Sequence, residues 1–172
     1  MVYMGSPILG FGKRKRTISK IFGYTDDICD LLKTTLDSSV LRYDLGRVNS
    51  ATARKIFELT QVDVSFFSHE VDSYALRHAF KKHKNDKPPL TLNDFKKISK
   101  IVTNYDTISI GWITKEGNKS VVYTKKFDDG IIFYIEELRT KHGTLSLKTM
   151  YKTKTPPTAS HAASNVEPYV CE

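Results

Sequence analysis

The chain has 172 residues, of which 40% are hydrophobic and 27% charged, an ordinary composition for a globular protein with one core. Its formal net charge of +8 favours a polyanionic partner such as nucleic acid, with simple solubility as the alternative. No apolar run approaches the roughly 20 residues that span a bilayer, and Cys29 and Cys171 lack the spacing of a zinc or redox motif.

The N-terminal stretch is expected to be an arm and not a secretory leader. Residues 1–22 contain several glycines and the run KRKR, which favours a flexible basic arm. Its apolar stretch precedes the basic cluster, the reverse of a secretory signal, so we expect a protein of the cytoplasm or one delivered into a host cytoplasm. A domain over residues 23–154 and a Pro- and Ser-rich tail over residues 155–172, expected to be disordered, complete the predicted organisation.

Helical spacing of apolar residues predicts four helices in the first part of the domain. They begin near Thr25, Ser50, Ser73 and Thr91, and the second and third end at Thr60 and His83. Ser50 is the expected N-cap of the second helix, and TLND gives the fourth a capping-box-like start with Asp94 in the usual place of glutamate. The stretch QVDVSFFSHE is predicted to be an extended link, and Pro88 with Pro89 ends the third helix.

The rest of the domain alternates apolar and polar residues, which is typical of strands. Four strands are predicted from the segments DTISIGWITK, SVVYTKKF, IIFYIEELR and TLSLKTMYK, and short turns containing glycine join them. Short connections of this kind indicate an antiparallel meander. The predicted fold is therefore α+β, with N-terminal helices packed on one face of a four-stranded antiparallel sheet.

The helix from Ser73 to His83 carries two histidines, His78 and His83. A projection at about 100° per residue gives an apolar side and a cationic side. The apolar side holds Leu76, Ala79, Phe80 and His83, and the cationic side holds Tyr74, His78, Lys81 and Lys82, with Arg77 between them. His83 is then either a core-edge residue that ends the helix or a candidate for acid–base catalysis. His78 is either a plain surface residue or the catalytic partner of His83. Either the last turn unwinds near His83, or only one histidine is catalytic.

A basic cluster surrounds these histidines. Residues 77–100 contain eight Lys or Arg residues against two Asp residues, so most of the net charge lies there. This pattern indicates either a phosphate-binding surface or a solvated lysine-rich face. The candidate RNA contacts on and beside the helix are Arg77, Lys81, Lys82 and Lys84.

The last predicted strand ends in a group of polar residues. By alternation, one face holds Leu145, Leu147, Thr149 and Tyr151, and the other holds Ser146, Lys148 and Met150. If the leucine face packs on the helices, Thr149 and Tyr151 lie at the rim of the core, and Lys148 points away unless a bulge redirects it. The alternative is two rim hydroxyls and a surface lysine without a role. Weaker candidates are His69, His142 and His161.

The run VDSYALRHAFKKH…LTLNDFKKISKIVTNYDTI…VVYTKK…GIIFYIEE…GTLSLKTMYK resembles a phage-associated nuclease family of the barnase–EndoU–colicin–RelE-like superfamily of metal-independent RNases. The resemblance covers about Asp44 to Lys154 and implies the same fold, helices followed by a four-stranded antiparallel sheet. The matches to the family's LRH…KH helix and KTMY-like close are Leu76, Arg77, His78, His83, Lys148, Thr149, Met150 and Tyr151. The family's usual glycine after the second histidine is Lys84 here, so the exit of the helix departs from the pattern.

The resemblance implies an endoribonuclease that uses neither metal nor cofactor. The ribose 2′-OH attacks the adjacent phosphate, which gives a 2′,3′-cyclic phosphate and a 5′-hydroxyl. His78 and His83 are the acid and base candidates, in either order. Lys148, with Arg77 or Lys82, stabilises charge on phosphorus, and Thr149 and Tyr151 bind the phosphate or orient a histidine. Glu136 and Glu137, on a predicted central strand, are weaker candidates for the base.

Two other interpretations remain open. A nucleic-acid-binding module without catalysis would use the same basic cluster, with Trp112 or Tyr123 as stacking partners. A phage structural or protein-interaction domain would carry its charge incidentally. For a toxic RNase, the superfamily implies an acidic antitoxin or immunity protein that complements the positive charge.

Overall fold

The computed structural model describes residues 42–154, so the predicted basic arm, the helix from Thr25 and the C-terminal tail lie outside the described residues. None of the helices within 42–154 has the length and apolar character that crossing a membrane requires. The described residues form an α+β fold. Its elements are β1 (Arg42–Arg47), α1 (Ser50–Thr60), β2 (Ser68–Asp72), α2 (Ser73–His83), α3 (Leu92–Lys96), α4 (Ile98–Thr103), β3 (Thr107–Ile110), β4 (Ser120–Phe127), β5 (Gly130–Arg139) and β6 (Thr144–Thr153).

The sheet is six-stranded and mixed, with the strand order β1-β2-β6-β5-β4-β3. Strands β3 to β6 pair antiparallel in sequence, which is the part that the alternation predicted. The prediction of a four-stranded, purely antiparallel sheet is wrong, because β1 pairs with β2 and β2 pairs parallel with β6. Strands β1 and β2 therefore alternate along the chain with helices α1 and α2. The segment predicted as an extended link contains most of the residues of β2.

Side-chain caps explain where the helices begin. Asn49, and not the predicted Ser50, is the N-cap of α1, because its side chain accepts a hydrogen bond of 2.8 Å from the Thr52 amide. Asp72 caps α2 in the same way, through a bond of 2.7 Å from the Ala75 amide. The capping box predicted at Thr91 and Asp94 is confirmed at the start of α3.

A buried charge network fastens the start of α3 to the sheet. The Lys152 ammonium lies 3.0 Å from a carboxylate oxygen of Asp94 and 3.0 Å from one of Asp129. Lys97 bridges the other oxygens of the same two carboxylates, each at 3.1 Å. Burial alone raises the pKa of Asp94, but the bonds from Thr91, Lys152 and Lys97 outweigh it and hold the pKa below its usual range. These lysines therefore serve the fold, although Lys97 belongs to the predicted basic cluster.

The helices cover one face of the sheet, called here the core face. The buried side chains on it include Tyr134 and Leu138 of β5 and Leu145 and Met150 of β6. Against them pack apolar residues of all four helices, among them Ile56, Leu76, Ala79, Phe95, Ile98 and Ile101. Burial of this one continuous cluster supplies the main driving force for folding. The opposite face is called the outer face.

A register shift in β6 decides which residues reach the outer face. Ile135 pairs with Thr149 and Glu136 with Leu147, so Lys148 is the extra, unpaired residue of a bulge. Because partners in register share a face, Leu147 and Met150 both reach the core face, whereas Thr149 and Tyr151 reach the outer face. The prediction that Thr149 and Tyr151 continue the leucine face is therefore wrong. The cause is the bulge at Lys148, the residue whose side chain a bulge was considered able to redirect.

Helix α2 lies beside the second half of β6. Strand β2 pairs with β6 only from Ser68 to Glu70, opposite Thr144 to Ser146. The chain then enters α2, which contacts β6. The His83 ring at the end of α2 lies 5.8 Å from the ring of Tyr151, so this end of the helix lies beside the outer-face residues that follow the bulge.

Candidate active site

His83 is the last residue of α2 and is fixed by its surroundings. Its Nδ1 lies 2.7 Å from a carboxylate oxygen of Asp86, and its carbonyl oxygen accepts the Leu90 amide at 2.9 Å. Its side chain is 12% exposed, and its ring centroid lies 5.8 Å from that of Tyr151. Because Asp86 engages Nδ1, Nε2 is the nitrogen left to exchange a proton with a bound molecule.

The exit of α2 needs no glycine. Lys84, which stands where the family pattern has glycine, has φ −64° and ψ −20°, ordinary right-handed helical values. Its amide donates to the Phe80 carbonyl, so the last turn does not unwind before His83. The two histidines therefore keep the separate helix sides that the projection predicted.

His78 lies on the exposed side of α2, stacked on Tyr74 with ring centroids 6.2 Å apart and an angle of 16° between the rings. Partial burial lowers the pKa of His78, and the positive charges of Lys82, His83, Lys148 and Lys81 lower it further. A charge lowers the pKa of a neighbouring histidine in this way only when the two groups are close together. His83 and Lys148 are therefore in the same electrostatic neighbourhood as His78, although the two imidazoles leave the helix on different sides.

Lys148 occupies the bulge of β6, where it forms a weak ion pair with Glu116. Its Nζ lies 3.3 Å from a carboxylate oxygen of Glu116, and the two side chains are 32% and 60% exposed. An exposed pair of this kind contributes about 1 kcal/mol or less. Another anion, such as a backbone phosphate of RNA, can therefore replace Glu116 at small cost.

Thr149 and Tyr151 follow on the outer face. The Tyr151 ring stacks on Phe133 of β5, with centroids 4.9 Å apart and an angle of 8° between them. The Thr149 hydroxyl oxygen is buried and has no hydrogen-bond partner among the described residues. Tyr151 thus connects the outer face to His83, whereas Thr149 has to rotate before its hydroxyl can reach a substrate.

Glu137 is a charged residue on the outer face that the sequence only weakly indicated. It is 2% exposed, and its carboxylate accepts bonds from Thr114 at 2.7 Å, Asn118 at 2.9 Å and Arg139 at 3.1 Å. Burial raises the pKa of Glu137, but these three bonds and the charge of Lys148 outweigh it and lower the pKa overall. Glu137 therefore stays ionised and ties the β3–β4 connection to the sheet beside Lys148.

Several other predicted residues lie away from this region. His69 is buried on the core face, where its Nδ1 lies 3.0 Å from both carboxylate oxygens of Glu136. Tyr123, one of the two stacking partners that the binding-module interpretation offered, is 0% exposed and so cannot stack on RNA. Trp112 is half-buried and His142 is exposed on the turn between β5 and β6. His161 lies outside the described residues.

The candidate RNA contacts differ in accessibility. Lys81, Lys82 and Lys84 are exposed at the C-terminal end of α2 and just beyond it, while Arg77 is half-buried. The exposed lysines therefore lie either on the same side of α2 as His78 or close to the C-terminal end of that helix. Across residues 42–154, no group of three His, Cys, Asp or Glu side chains is arranged to hold a metal ion.

The sequence reasoning missed the partner of His83, Asp86, and the loop contacts of Glu137, for different reasons. Asp86 lies three residues after His83, a spacing that allows a carboxylate to reach an imidazole at a helix end, so the signal was present in KHKND. Glu137 depends on Thr114 and Asn118, which approach it only through the pairing of β4 with β5. No local sequence pattern predicts those contacts.

Comparison with known proteins gives a match to a protein family. The family described as phage-Barnase-EndoU-ColicinE5/D-RelE like nuclease3 matches residues 46–158, about two thirds of the chain. The matched range includes all four helices and the candidate site residues of α2 and β6. No curated protein and no solved structure matches the chain significantly.

Proposed function

Because the chain belongs to the phage-associated Barnase–EndoU–ColicinE5/D–RelE-like nucleases, we propose that it is a metal-independent endoribonuclease acting at the junction of α2 and β6. The observation that carries this proposal is the meeting of α2 with β6, where the His83 ring lies 5.8 Å from the Tyr151 ring and Lys148, in the bulge of β6, is close enough for its charge to act on His78. His78, His83 and Lys148 supply the base, acid and cation that cleavage of RNA by its own 2′-OH requires.

The two histidines have different environments, which assigns them different roles. The lowered pKa of His78 keeps its imidazole neutral near pH 7, the form that accepts a proton from the 2′-OH. Asp86 orients His83, whose Nε2 then delivers a proton to the leaving 5′-oxygen. His78 is thus the base and His83 the acid, and the products are a 2′,3′-cyclic phosphate and a 5′-hydroxyl.

Cations stabilise the charge that builds on the phosphate oxygens. Lys148 releases Glu116 and binds the scissile phosphate, while Lys81, Lys82 and Lys84 hold the flanking backbone, with Arg77 at the margin. Tyr151 fixes His83 from the sheet side through the ring contact at 5.8 Å. Thr149 has the smallest role, because its hydroxyl is enclosed.

One incubation series tests the proposal. Purified protein is given total RNA or single-stranded DNA of similar length, each with EDTA or with Mg²⁺, and RNA 3′ ends are analysed by mass spectrometry. We expect RNA cleavage in EDTA, cyclic phosphate ends and intact DNA, because DNA lacks the 2′-OH. A requirement for Mg²⁺, or cleavage of DNA, contradicts the mechanism.

The same series separates the other interpretations. RNA binding without turnover at high protein concentration favours a catalytically silent binding module. No RNA affinity at physiological salt favours a structural or protein-interaction domain. As a toxin of a phage or prophage acting in a cytoplasm, the protein needs a neutralising partner, and its net charge of +8 favours an acidic antitoxin.

A further inference from the structure

Tyr74 is an exposed aromatic residue that the acid, base and cation assignments do not use. It is 64% exposed on α2, and one side of its ring is occupied by the stacked imidazole of His78 at 6.2 Å. An aromatic side chain with so much surface in water contributes little to the core. Its ring is therefore accessible for a contact other than packing in the core.

The surroundings of Tyr74 fit a single nucleobase. Lys81 and Lys82 are exposed on the same helix side, so a polyanionic strand bound there passes close to the ring. Proteins that bind single strands combine such cations with aromatic rings, because every base presents a flat face that stacks. The ring already has one flat partner, His78, and the residue is still 64% exposed, which leaves surface for a second.

We propose that Tyr74 stacks on the base of a nucleotide next to the scissile phosphate, so that base, Tyr74 and His78 form one layered stack. The proposal rests on the proposed function, because it takes His78 to act at that phosphate. The substrate class is therefore single-stranded RNA with an unpaired base beside the cut. A base held in a duplex stacks on its neighbours and is not available to Tyr74.

A short DNA oligonucleotide with one ribonucleotide tests this stacking, because only the single 2′-OH allows cleavage and fixes its position. Two further versions replace the base on the 5′ or the 3′ side of the scissile phosphate by an abasic sugar. The KM and kcat of wild type, Tyr74→Leu and Tyr74→Phe are measured on all three. Phe66→Leu is the matched control, since Phe66 is an 81% exposed aromatic residue in the connection between α1 and β2 and belongs to neither α2 nor β6.

On the intact oligonucleotide we expect Tyr74→Leu to raise KM about tenfold, with kcat little changed, and Tyr74→Phe to behave as wild type. On one of the two abasic versions, wild type and Tyr74→Leu become equal. Phe66→Leu behaves as wild type on all three. An equal effect of Tyr74→Leu on every version overturns the proposal, because the residue then only positions His78, and so does the absence of any effect.

A binding experiment keeps this inference separate from the proposed function. Fluorescence anisotropy measures the affinity of each variant for an all-DNA oligonucleotide, which the mechanism cannot cleave, and for fully abasic DNA of the same length. We expect Tyr74→Leu to weaken binding of the intact strand about tenfold and that of the abasic strand not at all. If cleavage is absent but this difference is found, the proposed function fails and the stacking stands; equal binding overturns the stacking.

Discussion

Glu136 and Glu137 are neighbours on β5, yet the alternation of the strand sends them to opposite faces of the sheet. On the core face, Glu136 is fully buried and paired with buried His69 beneath the helices. On the outer face, Glu137 holds polar groups of a surface loop beside Lys148. A glutamate side chain thus stabilises the fold on the core face, whereas on the outer face it organises part of a candidate site.

The difference teaches where charge is structural in this molecule. Charges on the core face are satisfied by partners inside the fold, as in the pair His69–Glu136 and the network around Lys152. Charges at the rim of the outer face are half-exposed and weakly paired, as Lys148 is. Substitutions on the core face should therefore change the free energy of unfolding, and those at the rim should change activity.

The largest expected effect is on catalysis at the rim. His78→Ala should lower kcat for RNA cleavage by about 10²-fold or more, since general acid–base catalysis contributes that much. Its thermal unfolding should match wild type, because His78 is exposed. His142→Ala, at an exposed histidine on the β5–β6 turn, is the control and should retain activity. Equal losses in the two variants would show that His78 has no special role.

The next effect is on stability. Lys152→Met removes one partner of Asp94, a pair whose side chains are 4% and 0% exposed, and should cost about 3 kcal/mol in the free energy of unfolding. Lys125→Met breaks the pair with Asp106, whose side chains are 13% and 44% exposed, and should cost about 1 kcal/mol or less. Urea unfolding of both variants measures the contrast. Similar costs would contradict the difference expected between a buried and an exposed charge pair.

The pH dependence of stability tests the pair on the core face. Burial alone lowers the pKa of His69, but the charge and hydrogen bond of Glu136, with the charge of Asp44, outweigh it and raise the pKa above 6.5. The raised pKa adds stability that is complete below pH 6.5 and disappears as the pH rises through the folded-state value. Urea unfolding between about pH 6 and pH 9 should show this decline in wild type. In His69→Gln it should be reduced, and an unchanged decline would mean that other groups cause it.

A smaller effect concerns salt. Lys81 and Lys82 are exposed on α2, and each phosphate contact contributes about 0.7 to the slope of log affinity against log salt for a single strand. The double variant Lys81→Gln/Lys82→Gln should lower that slope by about 1.4 in a titration with an uncleavable oligonucleotide. Lys141→Gln, on the exposed β5–β6 turn, should leave it unchanged. A uniform drop in both would indicate only a loss of net charge.

The smallest expected effect is a displacement of the pH–rate profile. Because the charge of Lys82 helps to lower the pKa of His78, Lys82→Met should raise that pKa. The acidic limb of kcat/KM, below which the base is protonated, then moves to higher pH. Lys96→Met, on α3, is the control, since Lys96 is not among the causes of the shift. A limb that moves to lower pH would exclude His78 as the base.

Local sequence patterns predicted some features of the fold and of the candidate site, and missed others. The bounds and sides of α2 follow from apolar spacing, and the capping box at Thr91 is a local pattern, so both were predicted and confirmed. The bulge at Lys148 has no local signature, and one extra residue exchanges the faces of every later side chain, so Thr149 and Tyr151 were placed on the wrong face. Strand β2 was missed because its three-residue parallel pairing joins segments about 75 residues apart in sequence.

The position of β6 in the sheet has a consequence for biosynthesis. This strand is the last of the described strands to be translated, but it lies between β2 and β5 and joins the two halves of the sheet. A nascent chain on the ribosome therefore has two unconnected sheet fragments until Thr153 has left the exit tunnel. The histidines of α2 come close to Lys148 and Tyr151 only at that moment, so the candidate site is not assembled in an incomplete chain.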